Sequence, residues 1–320
     1  MAKYLITGVA GFIGSHLAHA LVAQGHEVRG LDNFATGLQA NVDELAGKID
    51  FRRVDLCDAA ATTEACKGVY AILHQAALPS VPRSVIDPRT SHEANINGTF
   101  NLLEGARSAG VTRVVYAASS SAYGNQPGFP RVEAMAPQPI SPYAVQKLTG
   151  EFYMQSYFRV YGMETVCLRY FNIFGPRQVP DSPYSGVMAK FISEMLAGRT
   201  PTILGDGEQG RDFTYIDNAV QANLLAATVP AADCAGRVFN VACGERHTLN
   251  ETYASLCELM QFPHPANYGP TRSGDVRDSH ADISLAQKCL GYNPSVNFMD
   301  GLARTIDWYR TKSGKSGILH

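Results

Sequence analysis

Glycines 8, 11 and 14 punctuate the point where an apolar run, Tyr4-Leu5-Ile6-Thr7, gives way to Phe12, Ile13, Leu17 and Leu21 at helical spacing. A strand that becomes a helix within a few residues needs a tight turn. Positions without a Cβ let that turn close and let the helix pack hard on the strand, leaving backbone amides open at the helix start. The rest of the first half repeats the alternation. Strands are predicted at Val28 to Leu31, Phe51 to Val54, Tyr70 to Leu73, Arg113 to Ala118 and Glu164 to Arg169, with helices near Ala59 to Cys66, His92 to Ala109 and Ser141 to Tyr161. Strands that alternate with helices join through right-handed crossovers into a parallel sheet covered on both faces. The predicted fold class is α/β: a Rossmann-like, doubly wound sheet.

Beyond residue 171 the texture changes. Pro176, Pro180, Pro183, the turn Gly205-Asp206-Gly207, and Pro263, Pro265 and Pro270 cut the chain into short elements, as in a smaller α+β region. Residues 1–171 are therefore expected to form one domain and 172–320 a second, C-terminal one. The apolar run Val238 to Val241 predicts that a segment of about 214–244 returns to the first sheet.

Charge and composition exclude several classes of partner. A formal net charge of −2 offers no basic surface, so neither a nucleic acid nor an anionic membrane is an expected partner. No run of apolar residues is long enough to span a bilayer, and the first residues lead into a strand rather than a signal peptide. The seven cysteines are scattered with no CxxC pair, and the nine histidines form no HxxxH or HxH pair. These patterns predict a reducing, cytoplasmic compartment and no metal site. The Lys312 to Gly317 stretch reads as a frayed tail.

The glycine turn carries chemistry of its own. A helix start with free N–H groups and a positive dipole end suits a pyrophosphate, here in the spacing GxxGxxG. Asp32 closes the second strand, where a carboxylate accepts hydrogen bonds from ribose hydroxyls and repels a 2′-phosphate. No arginine follows within residues 33–36, so NAD is favoured over NADP. Asp55, after the third strand, is placed for an adenine amino group; its rival reading is an N-cap for the helical segment that begins at Asp58.

Two further stretches belong together. In Ser141-Pro142-Tyr143-Ala144-Val145-Gln146-Lys147, Pro142 suits a first helical turn, and Tyr143 and Lys147 share a face. A phenol with an ordinary pKa of about 10 is a weak base at neutral pH. An adjacent ammonium favours its phenolate, as does a positive nicotinamide ring. In Ala117-Ala118-Ser119-Ser120-Ser121, an apolar strand ends in hydroxyls, one of which can bridge tyrosine and substrate in a proton relay.

These motifs together resemble the extended short-chain dehydrogenase/reductases, and among them the nucleotide-sugar 4-epimerases, along residues 3–310. Arg169-Tyr170-Phe171-Asn172 with Gly175-Pro176-Arg177 resembles that family's RYFN segment. Arg211-Asp212-Phe213 and Arg272-Ser273-Gly274-Asp275 resemble its two diphosphate-gripping motifs, whose guanidinium forks suit phosphate oxygens. The resemblance implies Ser119, Tyr143 and Lys147 as catalytic residues. It implies a cofactor site of Gly8, Gly11, Phe12, Ile13, Gly14, Asp32, Asn33, Asp55, Leu56, Asn95, Tyr143 and Lys147. For the UDP-sugar it implies Ser80, Ser119, Ser120, Ser121, Tyr143, Asn172, Arg211, Arg272, Asp275 and Ser279. A homodimer through the helices around 92–109 and 142–161 is implied in the same way.

Within the family the residues after the first strand-end hydroxyl select the reaction. Sugar dehydratases resemble one another in an Asp-Glu pair there, and the related decarboxylases carry a glutamate; Ser120 and Ser121 do not titrate near neutral pH, which disfavours both chemistries. A UDP-sugar 4-epimerase is expected, with UDP-GlcNAc/UDP-GalNAc first and UDP-glucose/UDP-galactose beside it, because the resemblance implies that Ser279 flanks the sugar's C2 substituent, where a tyrosine excludes an N-acetyl group and a serine leaves room. UDP-glucuronate, its carboxylate met by Arg83 or Arg177, and a net NAD-dependent reductase or dehydrogenase are the alternatives. A non-enzymatic NAD sensor would have no need of Tyr143 and Lys147.

Overall fold

The computed structural model describes residues 1–180, 186–271 and 277–315, with side chains to residue 311. Its strands are β1 (Lys3–Thr7), β2 (Glu27–Asp32), β3 (Asp50–Arg53), β4 (Ala71–His74), β5 (Arg113–Ser119), β6 (Glu164–Tyr170), β7 (Ile173–Phe174), β8 (Thr202–Leu204), β9 (Gly210–Arg211), β10 (Thr214–Tyr215), β11 (Arg237–Val241), β12 (His247–Thr248), β13 (Asn267–Gly269) and β14 (Asp278–Ser279). Seven of them form one sheet in the order β11-β6-β5-β4-β1-β2-β3, all pairs parallel. The order reverses between β1 and β4, so a crevice opens at their carboxyl ends.

The helices are α1 (Phe12–Ala23), α2 (Gln39–Asp43), α3 (Ala59–Cys66), α4 (Val81–Ile86), α5 (Pro88–His92), α6 (Gly98–Ser108), α7 (Pro142–Tyr161), α8 (Val187–Leu196), α9 (Ile216–Thr228), α10 (Ala231–Cys234), α11 (Leu249–Met260), α12 (Ser284–Leu290) and α13 (Phe298–Lys315). Successive strand residues point to opposite faces, and both faces are buried. Tyr4, Ile6, Leu73, Val115 and Leu168 pack with Leu17 and Leu21 of α1 and Ala219 of α9. Leu5, Ile72, Val114 and Cys167 pack with Leu102 of α6 and Met154 of α7. This is the doubly wound architecture.

The first of these cores runs on into the second region, through Phe174, Phe191, Phe213, Leu249 and Phe298. Strands there are short, paired as β10-β7, β12-β9-β14 and β13-β8. Side chains supply the order that such short ladders lack. The Asp212 carboxylate is fully buried and accepts from the backbone amides of Cys243 (2.9 Å), Gly244 (3.1 Å) and Ala281 (3.3 Å).

One predicted helix is interrupted. Instead of a continuous helix from 92 to 109, a wide π turn spans Glu93–Asn97 before α6. The turn aims the buried amide of Asn95 at Leu78, whose N–H (2.7 Å) and C=O (3.1 Å) it binds, and at Gln146 (2.8 Å). Among the described residues no helix is long and apolar enough to cross a membrane.

Candidate active site

A cavity of about 780 Å³ lies along the carboxyl ends of β1, β2, β4 and β5. One end is built from backbone. Gly8 turns with φ +73, and a Cβ there would lie 2.8 Å from the Ala76 nitrogen. A Cβ on Gly14 would lie 2.1 Å from the Gly8 carbonyl oxygen, so α1 can meet the turn only with glycine there. No side chain caps the start of α1. Its first N–H groups and dipole face the cavity, whose lining includes Gly8, Gly11, Phe12, Ile13 and Gly14.

Asp32, at the end of β2, also lines the cavity. Its carboxylate accepts from the amides of Ala10 (2.9 Å) and Phe34 (2.8 Å), while burial pushes its pKa up against those bonds. Asn33, Asp55 and Leu56 continue the rim. The rival N-cap reading of Asp55 does not hold: Asp58 caps α3 by accepting from Ala61. Asp55 instead accepts from Cys57 N–H and the Asn33 amide, and the first of these bonds is the main cause holding its carboxyl below the ordinary range. A glycine cradle with no room for side chains, an uncapped helix start and a carboxylate at the second strand's end fit a dinucleotide.

The other end is built from side chains. Ser141 caps α7 by accepting from Ala144 N–H (3.2 Å), which sets Tyr143 and Lys147 in the cavity wall. Ser119 ends β5, where its hydroxyl acts on the Tyr143 phenol, and accepts from the Ser121 amide (3.2 Å); the two serine hydroxyls lie 2.8 Å apart. Lys147 is buried and donates to the Ala117 carbonyl (2.9 Å). The electrostatics depart from the sequence expectation. Burial pushes the phenol up to about 12, opposed by the neighbouring Ser119 hydroxyl, and Lys147 is not among the causes. Burial likewise brings Lys147 down to about 8. The protein's own groups thus leave Tyr143 protonated at neutral pH.

A directed relay lies under the cavity. Ala76 N–H donates to Thr7 (3.2 Å), whose hydroxyl donates to His74 Nδ1 (2.7 Å). The Thr99 hydroxyl gives its proton to the Asn95 carbonyl (2.7 Å), so His74 Nε2–H must be the donor at 2.9 Å. Burial holds His74 down at about 3, so the ring is neutral.

Other expected residues sit apart from the cavity wall. Asn95 lies beneath it with its amide engaged as described. Ser80 caps α4 from a left-handed backbone (φ 114), next to the lining residues Pro79 and Arg83. The Asn172 amide donates to Asp212 O (2.8 Å). Arg211 and Ser279 are register partners in the β9–β14 pair, and Arg211 donates to the Gly210 and Arg277 carbonyls. Ser120 and Ser121 start a short 3₁₀ turn. Arg272 and Asp275 lie outside the described residues. Arg177 is corrected: its guanidinium donates to Glu44 (2.7 Å) and contacts His19 (3.1 Å), and it does not line the cavity. Sequence reasoning missed Gln75 and Tyr170, which line the cavity and share a hydrogen bond of 3.2 Å. Their signal was available, since Gln75 sits at the carboxyl end of β4, beside the switch point.

The family model described as NAD dependent epimerase/dehydratase family matches residues 4–242. A UDP-glucose 4-epimerase of Mycolicibacterium smegmatis is 39% identical, over 97% of this chain and 99% of its own length. The UDP-N-acetylglucosamine 4-epimerase of Methanobrevibacter ruminantium, solved with UDP-N-acetylmuramic acid, superposes with a TM-score of 0.93 at 35% identity, over 97% of this chain and 99% of that one. The UDP-glucose 4-epimerase of Thermotoga maritima, solved with UDP-glucose, gives 0.92 at 35% identity with the same coverage.

Proposed function

The chain belongs to the NAD dependent epimerase/dehydratase family, and we propose that it inverts C4 of a UDP-sugar, with UDP-GlcNAc and UDP-GalNAc as the preferred pair and UDP-glucose and UDP-galactose also accepted. The observation that carries this reading is the placement of Tyr143 and Lys147 in the wall of the cavity that the glycine turn opens, with Ser119 at the end of β5 near enough to act on the phenol. NAD held by the Gly8, Gly11 and Gly14 turn and Asp32 would supply reversible hydride chemistry at C4 and a positive ring whose sign favours the phenolate.

The chain's own residues handle the proton and the orientation. Tyr143 takes the 4-hydroxyl proton, Ser119 bridges phenol and sugar, and the Lys147 ammonium, anchored on Ala117, supports the charged state. The resulting 4-keto sugar must present its other face, which requires a firm grip on the diphosphate and a loose one on the sugar; Arg211 and Arg272 are assigned that grip. Dehydration and decarboxylation are disfavoured because Ser120 and Ser121 offer no carboxyl group beside Ser119. Residues 1–171 with about 214–244 make up the cofactor lobe in this reading, and the remainder the nucleotide-sugar lobe.

A second reading has one observation in its favour. Among the described residues Arg83 is the guanidinium that lines the cavity, which suits the C6 carboxylate of UDP-glucuronate. A product assay across the three UDP-sugar pairs separates the readings. Turnover confined to the uronic acid pair overturns the preference stated here, and absence of any 4-epimer overturns the reaction. Absorbance of the purified protein distinguishes an epimerase, which keeps its dinucleotide, from a net dehydrogenase.

We assign a homodimer contact to α6 and α7. Phe100, Val145 and Phe152 leave 40%, 47% and 56% of their surfaces exposed, and Val145 and Phe152 stand two turns apart on one face of α7. Light scattering of the wild type and of Phe152→Lys tests it: both monomeric, or both dimeric, refutes the contact.

A further inference from the structure

Glu151 follows Lys147 on α7 at the interval by which Lys147 follows Tyr143, so three ionisable side chains stand in file on the helix face turned to the sheet. Lys147 and Glu151 are 4% and 1% exposed. Arg169, from β6, meets Glu151 with two parallel bonds, Nε to Oε1 at 3.0 Å and a terminal nitrogen to Oε2 at 2.8 Å. Its guanidinium lies 4.6 Å over the Tyr123 ring.

The groups that face this file from the neighbouring strands carry no charge at neutral pH. His74 from β4 is neutral; Tyr116 from β5, whose ring centroid lies 5.0 Å from the Lys147 nitrogen, and Cys167 from β6 are held protonated by burial. Formal charge rests on Lys147, Arg169 and Glu151, with Glu133, which accepts from the Asn240 amide, a second carboxylate acting on Arg169. Burial raises the Glu151 pKa, against which its bonds to Arg169 and the charge of Lys147 act. Of the Glu151–Arg169 pair, Glu151 is the member whose charge acts on Lys147, opposing the burial that disfavours the ammonium.

We propose that Glu151, held as a carboxylate by Arg169, is a positioning residue: the shared counter-ion that keeps Lys147 an ammonium at neutral pH. The assignment rests on the reading of Tyr143 and Lys147 as the catalytic pair. Glu151 touches neither the cavity nor the phenol and acts through the lysine.

The test follows the Lys147 amine directly, by ¹⁵N-lysine NMR titration of the purified protein, with the resonance identified by its loss in Lys147→Met. In Glu151→Gln the amine midpoint is expected to fall by about one pH unit, and the alkaline limb of kcat/KM to fall with it. Activity at pH 8 then drops about tenfold relative to pH 6.5. Because a lone buried Arg169 can prevent folding, Glu151→Leu/Arg169→Met removes both charges, with the same downward shift expected. Glu151→Asp keeps the carboxylate and is expected to restore most of the wild-type midpoint. An unchanged amine midpoint in whichever of these folds, or a shift in Glu151→Asp as large as in Glu151→Gln, overturns the proposal. If the amine midpoint moves but Lys147→Met keeps wild-type turnover, the catalytic reading fails and the counter-ion assignment stands.

Discussion

The two regions of this chain hold their residues in place by different means. In the seven-stranded sheet, position follows from the backbone ladder: each strand's register delivers its terminal residue, whether Thr7, Asp32 or Ser119, to the same edge. In the second region strands of two or three residues cannot do that, and buried side chains knot the loops together, as Asp212 does for segments near 243 and 281. The first kind of order survives most side-chain changes except where a Cβ collides. The second depends on single carboxylates and amides.

Mutations sharpen or break that contrast. Tyr143→Phe removes a proton carrier while leaving the ladder intact; turnover should fall by about 10²- to 10⁴-fold with dinucleotide content unchanged by absorbance. Turnover close to wild type would break the assignment of the catalytic end. Gly14→Ala drives a Cβ into the Gly8 carbonyl. It should lower stability by about 1–3 kcal/mol and strip most of the dinucleotide, read as a lower melting temperature and a lost cofactor absorbance.

In the second region, Ser279→Tyr should reduce kcat/KM on the N-acetylated pair about tenfold or more relative to the glucose pair; equal loss on both would remove Ser279 from the selectivity argument. The smallest effect concerns Asp212, whose carboxyl burial pushes up to about 6 from the ordinary 3.8. Between those values the folded protein holds a proton that the unfolded chain lacks, so its contribution to stability grows as pH falls from about 7 towards 4. Urea unfolding of the wild type and Asp212→Asn at pH 7.5 and 5 should show the wild type gaining on the order of 1–3 kcal/mol on the variant at the lower pH. No differential gain means that the knot does not titrate.

The same contrast explains what could be read from the chain. Strand and helix periodicity, the glycine turn, and the Tyr143–Lys147 pair four residues apart are local patterns, and the sheet with its cavity was legible from them. The interruption at Glu93–Asn97 was not, because a π turn has no local signal there; it is made by Asn95 reaching Leu78 and Gln146, 17 and 51 residues away. The phenol's raised pKa was also hidden, since burial by neighbours distant in sequence raises it and the charge that sequence spacing suggests is not among its causes. Glu151 was within reach, one turn past Lys147 in the same file, whereas its partner Arg169 belongs to a strand.

Strand β11 pairs with β6 although most of the second region's short strands come between or after them. On the division proposed above, the polypeptide changes lobes repeatedly before its last helix, so no single cut frees either lobe as a continuous piece. Several covalent tethers resist rotation better than one. On that division a split-protein version cut near residue 172 should regain activity only when both fragments are present together.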